Sequence, residues 1–94
     1  MLVLGLVQAE IHFPESGSLK SKRKILKSIK DRLRSKFNVS VSEVDYQDKW
    51  QRSLLAVATV GNDRQFVNQV LDQVADLLEA IPEIQVLHIE LDMD

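Results

Sequence analysis

Phe37-Asn38-Val39-Ser40-Val41-Ser42-Glu43-Val44-Asp45-Tyr46, then Gln47-Asp48-Lys49, then Trp50-Gln51-Arg52-Ser53-Leu54-Leu55-Ala56-Val57-Ala58-Thr59-Val60: this central stretch decides the fold. Both long runs are rich in β-branched and aromatic residues, and three polar residues between them make a short hairpin loop. Val39 and Val41 alternate with serines, whereas Val44 and Tyr46 fall on the other parity. Such a parity change in a strand implies a bulge, expected near Ser42-Glu43. Two consecutive antiparallel strands therefore occupy residues 37–46 and 50–60.

The segments on either side have helical, not strand, periodicity. In Leu19–Lys36, the side chains of Leu19, Ile25, Leu26, Ile29 and Leu33 fall within one arc at 100° per residue. Lys20, Arg23, Lys24, Lys27, Lys30 and Arg34 lie opposite them, and Ser18 at the end of Pro14-Glu15-Ser16-Gly17-Ser18 is a plausible cap. After the central hairpin, Gly61-Asn62-Asp63 caps a second helix. Its Phe66, Val67, Val70, Leu71, Val74, Leu77, Leu78 and Ile81 form an apolar stripe that Pro82 ends, and Asp72, Asp76 and Glu79 lie outside it.

The two ends of the chain complete the pattern. Residues 2–13 are apolar on both faces at first and on one face later, as in a central strand whose far end reaches water. Residues 84–91 form a last strand, with Leu87, Ile89 and Leu91 on one side and Val86, His88 and Glu90 on the other. The element order is β-α-β-β-α-β, the ferredoxin-like split βαβ arrangement of the α+β class. Right-handed crossovers then give an antiparallel sheet in order 4-1-3-2 with both helices on one face. Residues 1–94 read as one domain, since the chain is long enough for a single core and shows no linker.

Charge is distributed unevenly along the chain. Residues 20–36 hold nine of the twelve basic residues and one acid, Asp31, for a net +8. All other residues together carry −10, so the formal charge of −2 conceals a strongly polar molecule. Cysteine is absent, which excludes disulfides, thiolate metal sites and a cysteine nucleophile and fits a cytoplasmic protein. The apolar start of the chain is too short to span a membrane, so no membrane partner is expected.

Ser18-Leu19-Lys20-Ser21-Lys22-Arg23 resembles the SLKxKR element of the YlxP-like bacterial proteins, the DUF503 family. Residues 37–44 followed by Trp50-Gln51-Arg52 are similar to that family's second motif, at the same spacing. The resemblance covers nearly the whole chain and implies a ferredoxin-like fold. It implies no activity, because the family is one of unknown function. Its members are often encoded beside genes for translation initiation and ribosome maturation, which points toward a ribosomal or RNA context.

Cations near a helix start oppose the macrodipole, at roughly 0.3–1 kcal/mol each when exposed. Lys20, Lys22, Arg23 and Lys24 crowd that end, and a bound phosphate would reverse the penalty. Lys22 falls on the apolar arc and is expected to bend out from beneath the helix toward the loop 14–18. The expected function is a non-enzymatic module that binds structured RNA or a ribosomal surface. Lys20, Lys22, Arg23, Lys24, Lys27 and Arg34 are the expected phosphate contacts, with Arg52 as an accessory. Phosphate contacts confer affinity and register, so no DNA sequence specificity is expected. Two alternatives are a protein-interaction module docking an acidic partner and a regulatory domain binding a small anion.

Neither central strand has an aromatic residue at its middle, which argues against RNA-recognition-motif stacking on the sheet. The Leu- and Ala-bearing open face suggests instead a homodimer packed sheet to sheet. Trp50 is expected to close the open end of the core; the alternative is a Trp50–Tyr46 pair beside Arg52 that stacks on a base. Pairing of the first and last strands places residue 12 opposite residue 84, with His12 and His88 roughly 13 Å apart. That is too far to share an ion, and neither a metal nor another cofactor is expected. Ser21-Lys22-Arg23-Lys24 fits S-x-x-K but lacks the companion motifs of that chemistry.

Overall fold

A computed structural model describes residues 1–94. The elements are β1 (Val3–His12), α1 (Leu19–Lys36), β2 (Ser40–Asp45), β3 (Arg52–Gly61), α2 (Arg64–Glu79) and β4 (Gln85–Met93). All strand pairs are antiparallel, in the order β2-β3-β1-β4, which is 4-1-3-2 read from the other edge. The expected α+β, ferredoxin-like topology is therefore the one observed.

Local chemistry accounts for the helix boundaries. Ser18 is extended and its hydroxyl accepts the Ser21 amide at 3.0 Å, satisfying a donor that the helix cannot use. Asp63 caps α2 in the same way through the Gln65 amide at 3.0 Å. At the other end of α1, Phe37 becomes the cap, its amide bonding the Leu33 carbonyl. For that reason β2 starts at Ser40, three residues later than the sequence pattern suggests.

Burial follows the strand period. Val3, Val7, Ala9 and Ile11 of β1 and Leu55 and Val57 of β3 face the helices and are almost fully enclosed. Leu26, Ile29 and Leu33 of α1 and Val67, Leu71, Val74 and Leu78 of α2 cover them. α2 approaches closely because Gly5 lacks a side chain: a β-carbon there would lie 2.7 Å from Val67 Cγ1 and 3.0 Å from Leu71 Cδ2. Phe13, completely buried just beyond β1, closes the end of this core.

Two irregularities differ from the sequence expectation. The bulge in β2 lies between Glu43 and Asp45, at Val44, so Glu43 still shares the inward parity of its partner Leu55. A second bulge, unforeseen, lies in β4 at Leu87, where Glu10 pairs with His88 and Ile11 already pairs with Val86. It transfers Val86 to the face of Ile89 and leaves Leu87 exposed. His12 consequently faces Gln85, not residue 84, and its Nδ1 lies 2.9 Å from Gln85 Oε1.

Candidate functional site

The seven basic residues singled out in the sequence separate into three environments. Lys20, Arg23 and Lys24 stand exposed on the outside of α1, with no carboxylate within ion-pair distance. Lys27 shares this surface but pairs with Asp31 one turn on, at 2.8 Å. Hydrogen bonding to Lys27 holds the Asp31 carboxyl below its ordinary value of 3.8. Arg34 is exposed too, and its Nη2 donates to the Val41 carbonyl of β2 at 3.1 Å. No ion pair connects α1 with α2, although Asp76 of α2 borders the same shallow groove as Arg32 and Lys36.

Lys22 corrects the sequence reading. It does not bend out to solvent but is fully buried, and its ammonium passes beneath α1 to the β2–β3 hairpin. There Nζ donates to the carbonyl oxygens of Tyr46 at 2.8 Å and Arg52 at 3.1 Å, and pairs with Glu43 Oε2 at 2.9 Å. A buried ammonium survives only when its three donors are occupied, and these are. Lys22 is thus unavailable to an external phosphate.

The hairpin that Lys22 grips has an unusual backbone. Tyr46 adopts φ 64, a left-handed conformation that costs a bulky residue energy and needs support from its surroundings. That support comes from the Lys22 ammonium and the Lys49 amide on the Tyr46 carbonyl, and from the Asp45 carboxylate on its N–H. Gln51 ties the same hairpin to the β1–α1 loop, its Nε2 donating to the Ser16 carbonyl at 3.0 Å. The two motifs of the sequence, around Ser18–Arg23 and Phe37–Arg52, therefore meet at one end of the molecule.

Arg52 lies on the opposite face of the sheet from α1. Its guanidinium binds the Glu10 carboxylate on the open face and stacks on the Tyr46 ring, 4.5 Å from the centroid. The hydrogen bond to Glu10 raises its affinity for its proton above the ordinary arginine value. It therefore stands apart from the lysines on the outer surface of α1, at the hairpin end of the open face. Trp50 also departs from expectation: it is 56 % exposed and does not close the core, which Phe13 has already done.

The open face itself divides along its length. Toward one end lie Leu4, Leu6, Ala58 and Val60, an apolar group with Leu4 and Val60 well exposed. Toward the hairpin end lie Glu10, His12, Arg52 and His88. Leu54 and Ala56 occupy the middle, and no aromatic ring stands there. His88 pairs with Glu90 at 3.0 Å, and no third ligand-type side chain joins it or His12 in a metal-binding cluster. No helix is long and apolar enough to cross a membrane.

This architecture is a ferredoxin-like α+β sandwich with one face of the sheet left open. The chain belongs to the DUF503 family, described as "protein of unknown function", whose model matches residues 4–91. It is 40% identical over 83 residues to the uncharacterized protein YlxP of Bacillus subtilis (strain 168), covering 88% of this chain and 90% of that protein. Among solved structures, the de novo designed protein Foldit4 aligns with a TM-score of 0.58, covering 100% of this chain and 97% of that one. At 9% identity, that likeness concerns the fold alone.

Proposed function

We propose that this protein is a non-enzymatic module that docks structured RNA on the outer face of α1. One observation carries the reading: the cations of that face are exposed and largely unneutralised. Of the three lysine and arginine ion pairs in the molecule only Lys27–Asp31 lies on it, while Lys20, Arg23 and Lys24 have no acidic partner. A phosphate backbone supplies the missing countercharge and releases its own condensed ions as it binds. Lys20, Arg23, Lys24, Lys27 and Arg34 form the contact surface, and Lys22 positions it from below.

Fluorescence anisotropy of a labelled structured RNA across a salt series tests this. The expected slope of log K against log[salt] is about −3 to −4, the value for roughly half the basic residues on the face. A Lys24→Glu, Lys27→Glu double variant is expected to fold normally and lose the RNA. Unchanged binding by that variant would remove α1 from the interface. A protein complex that survives nuclease treatment and needs the same lysines would favour an acidic protein partner instead.

The exposed Leu4, Ala58 and Val60, with half-buried Leu6 beside them, favour a second component, self-association of two copies sheet to sheet at that end of the open face. Sedimentation equilibrium is expected to give a dimer that Val60→Glu dissociates. A monomer at all concentrations would remove this component and leave the α1 surface as proposed.

A further inference from the structure

At the hairpin end of the open face, β1, β3 and β4 and the hairpin tip border a shallow, open groove of about 730 Å³. This volume is typical of pockets that hold a small organic group. Its walls include Tyr46, Trp50, Arg52 and Leu87, with His12, Lys49 and the carboxylate of Asp48 at its polar margin. Nothing in the core requires Trp50 to be here, since Phe13 seals that end, yet Trp50 turns its indole toward solvent. Leu87 reaches the rim only because of the β4 bulge, a device that re-aims one side chain without altering the rest of the strand.

The groove is held in shape before any ligand arrives. The Tyr46 backbone is locked in its left-handed conformation by Lys22 from inside the fold. The Arg52 guanidinium is held over the Tyr46 ring, 4.5 Å from its centroid, by Glu10. Two planar groups and an exposed indole therefore border one cleft, with Lys49 beside it free of any acidic partner. A planar, uncharged ring attached to a negative phosphate matches both features: the ring stacks and the phosphate meets Lys49.

We propose that this groove takes one unpaired nucleobase of the RNA that α1 docks, stacked on Trp50 with its flanking phosphate toward Lys49. The proposal rests on the RNA-binding reading of α1. The two surfaces lie on opposite faces of the sheet, but they meet at one end. Lys22, in the first turn of α1, touches the carbonyls of Tyr46 and Arg52, so the cations of that turn adjoin the hairpin. In this proposal, an unpaired tail leaving a duplex at the first turn of α1 passes along the hairpin to Trp50. This stacking platform stands on the rim of the open face, outside the strand centres where the sequence lacks aromatics.

Trp50 is the only tryptophan, so its emission reports on the groove directly. The test compares three labelled RNAs: a blunt hairpin, the same hairpin with a short unpaired tail, and the same with a tail of abasic nucleotides. The natural tail is expected to quench Trp50 and to tighten binding about five- to 100-fold over the blunt hairpin. The abasic tail is expected to do neither. Trp50→Ala should abolish the gain from the tail while binding the blunt hairpin as the wild type does, and Trp50→Phe should keep part of the gain. Equal affinity for the tailed and blunt RNAs, a gain from the abasic tail, or a gain that survives Trp50→Ala overturns the groove assignment and leaves the α1 reading standing. Failure of the wild type to bind any of the three overturns both.

Discussion

Lys22 and Lys24 stand two residues apart on one helix and have opposite fates. Lys24 projects into water with no partner, whereas Lys22 is sealed beneath the helix with its ammonium bonded to two carbonyls and a carboxylate. The 200° between them on the helical wheel separates the outer surface from the sheet side. Beyond that rotation, the difference lies in what waits at the end of the side chain. Under Lys22, the hairpin presents the Tyr46 and Arg52 carbonyls and the Glu43 carboxylate, oxygens that accept an ammonium. A charge can thus be structural or available for binding according to the atoms that surround it, and composition alone does not separate the two.

The largest test of this contrast is removal of the buried amine. Lys22→Ala leaves the largely buried Glu43 carboxylate without its countercharge and the Tyr46 and Arg52 carbonyls each short of one donor, and is expected to cost about 3–5 kcal/mol in urea unfolding. That is a large part of the roughly 5–15 kcal/mol available to a domain of this kind. Lys24→Ala is expected to change stability by under about 0.5 kcal/mol. Equal effects at the two sites would break the comparison.

Glu43 sharpens it. Glu43→Gln keeps a hydrogen-bond acceptor but removes the countercharge, with an expected loss of about 1–3 kcal/mol. Combining Lys22→Met with Glu43→Leu is expected to recover part of what the Lys22 change alone costs, because no unpaired charge remains. Additive losses in the double variant would mean that the two side chains do not act as a pair.

On the outer face the sign reverses. Lys20 lies in a first turn that contains no acid, so Lys20→Glu is expected to stabilise the fold by about 0.3–1 kcal/mol while weakening RNA binding. Such a trade distinguishes a surface kept for binding from one that serves the fold. A destabilised variant would show that Lys20 contributes to folding after all.

The smallest effect concerns pH. Because Lys27 holds the Asp31 carboxyl below 3.8, their attraction is complete above the ordinary carboxylate range and is lost as pH falls through the lowered midpoint. Both groups are exposed, so stability should barely respond. A carbon-detected NMR titration of Asp31 is expected to give a midpoint below 3.8 that Lys27→Ala moves up toward 3.8.

Much of this was legible along the chain. The limits of α1 and the caps Ser18 and Asp63 follow from periodicity and local hydrogen-bonding chemistry, and the strand order from right-handed crossovers. Lys22 left a partial signal, an amine on an apolar arc, but its destination lay 24 residues away at Tyr46. The β4 bulge left none, since Leu87, Ile89 and Leu91 alternate as cleanly as in a regular strand. Trp50 misled because a large aromatic beside a strand end usually closes a core, and here Phe13 fills that place.

The sequence by itself determined the element order, the faces of the helices and the segregation of positive charge onto α1, because these depend on periods of two and 3.6 residues and on neighbours within a few positions. Only the tertiary structure decided which lysine is buried, where the hairpin backbone turns left-handed and which aromatic faces solvent. These features depend on contacts between residues distant in the chain, and their geometry exists only after the layers have packed.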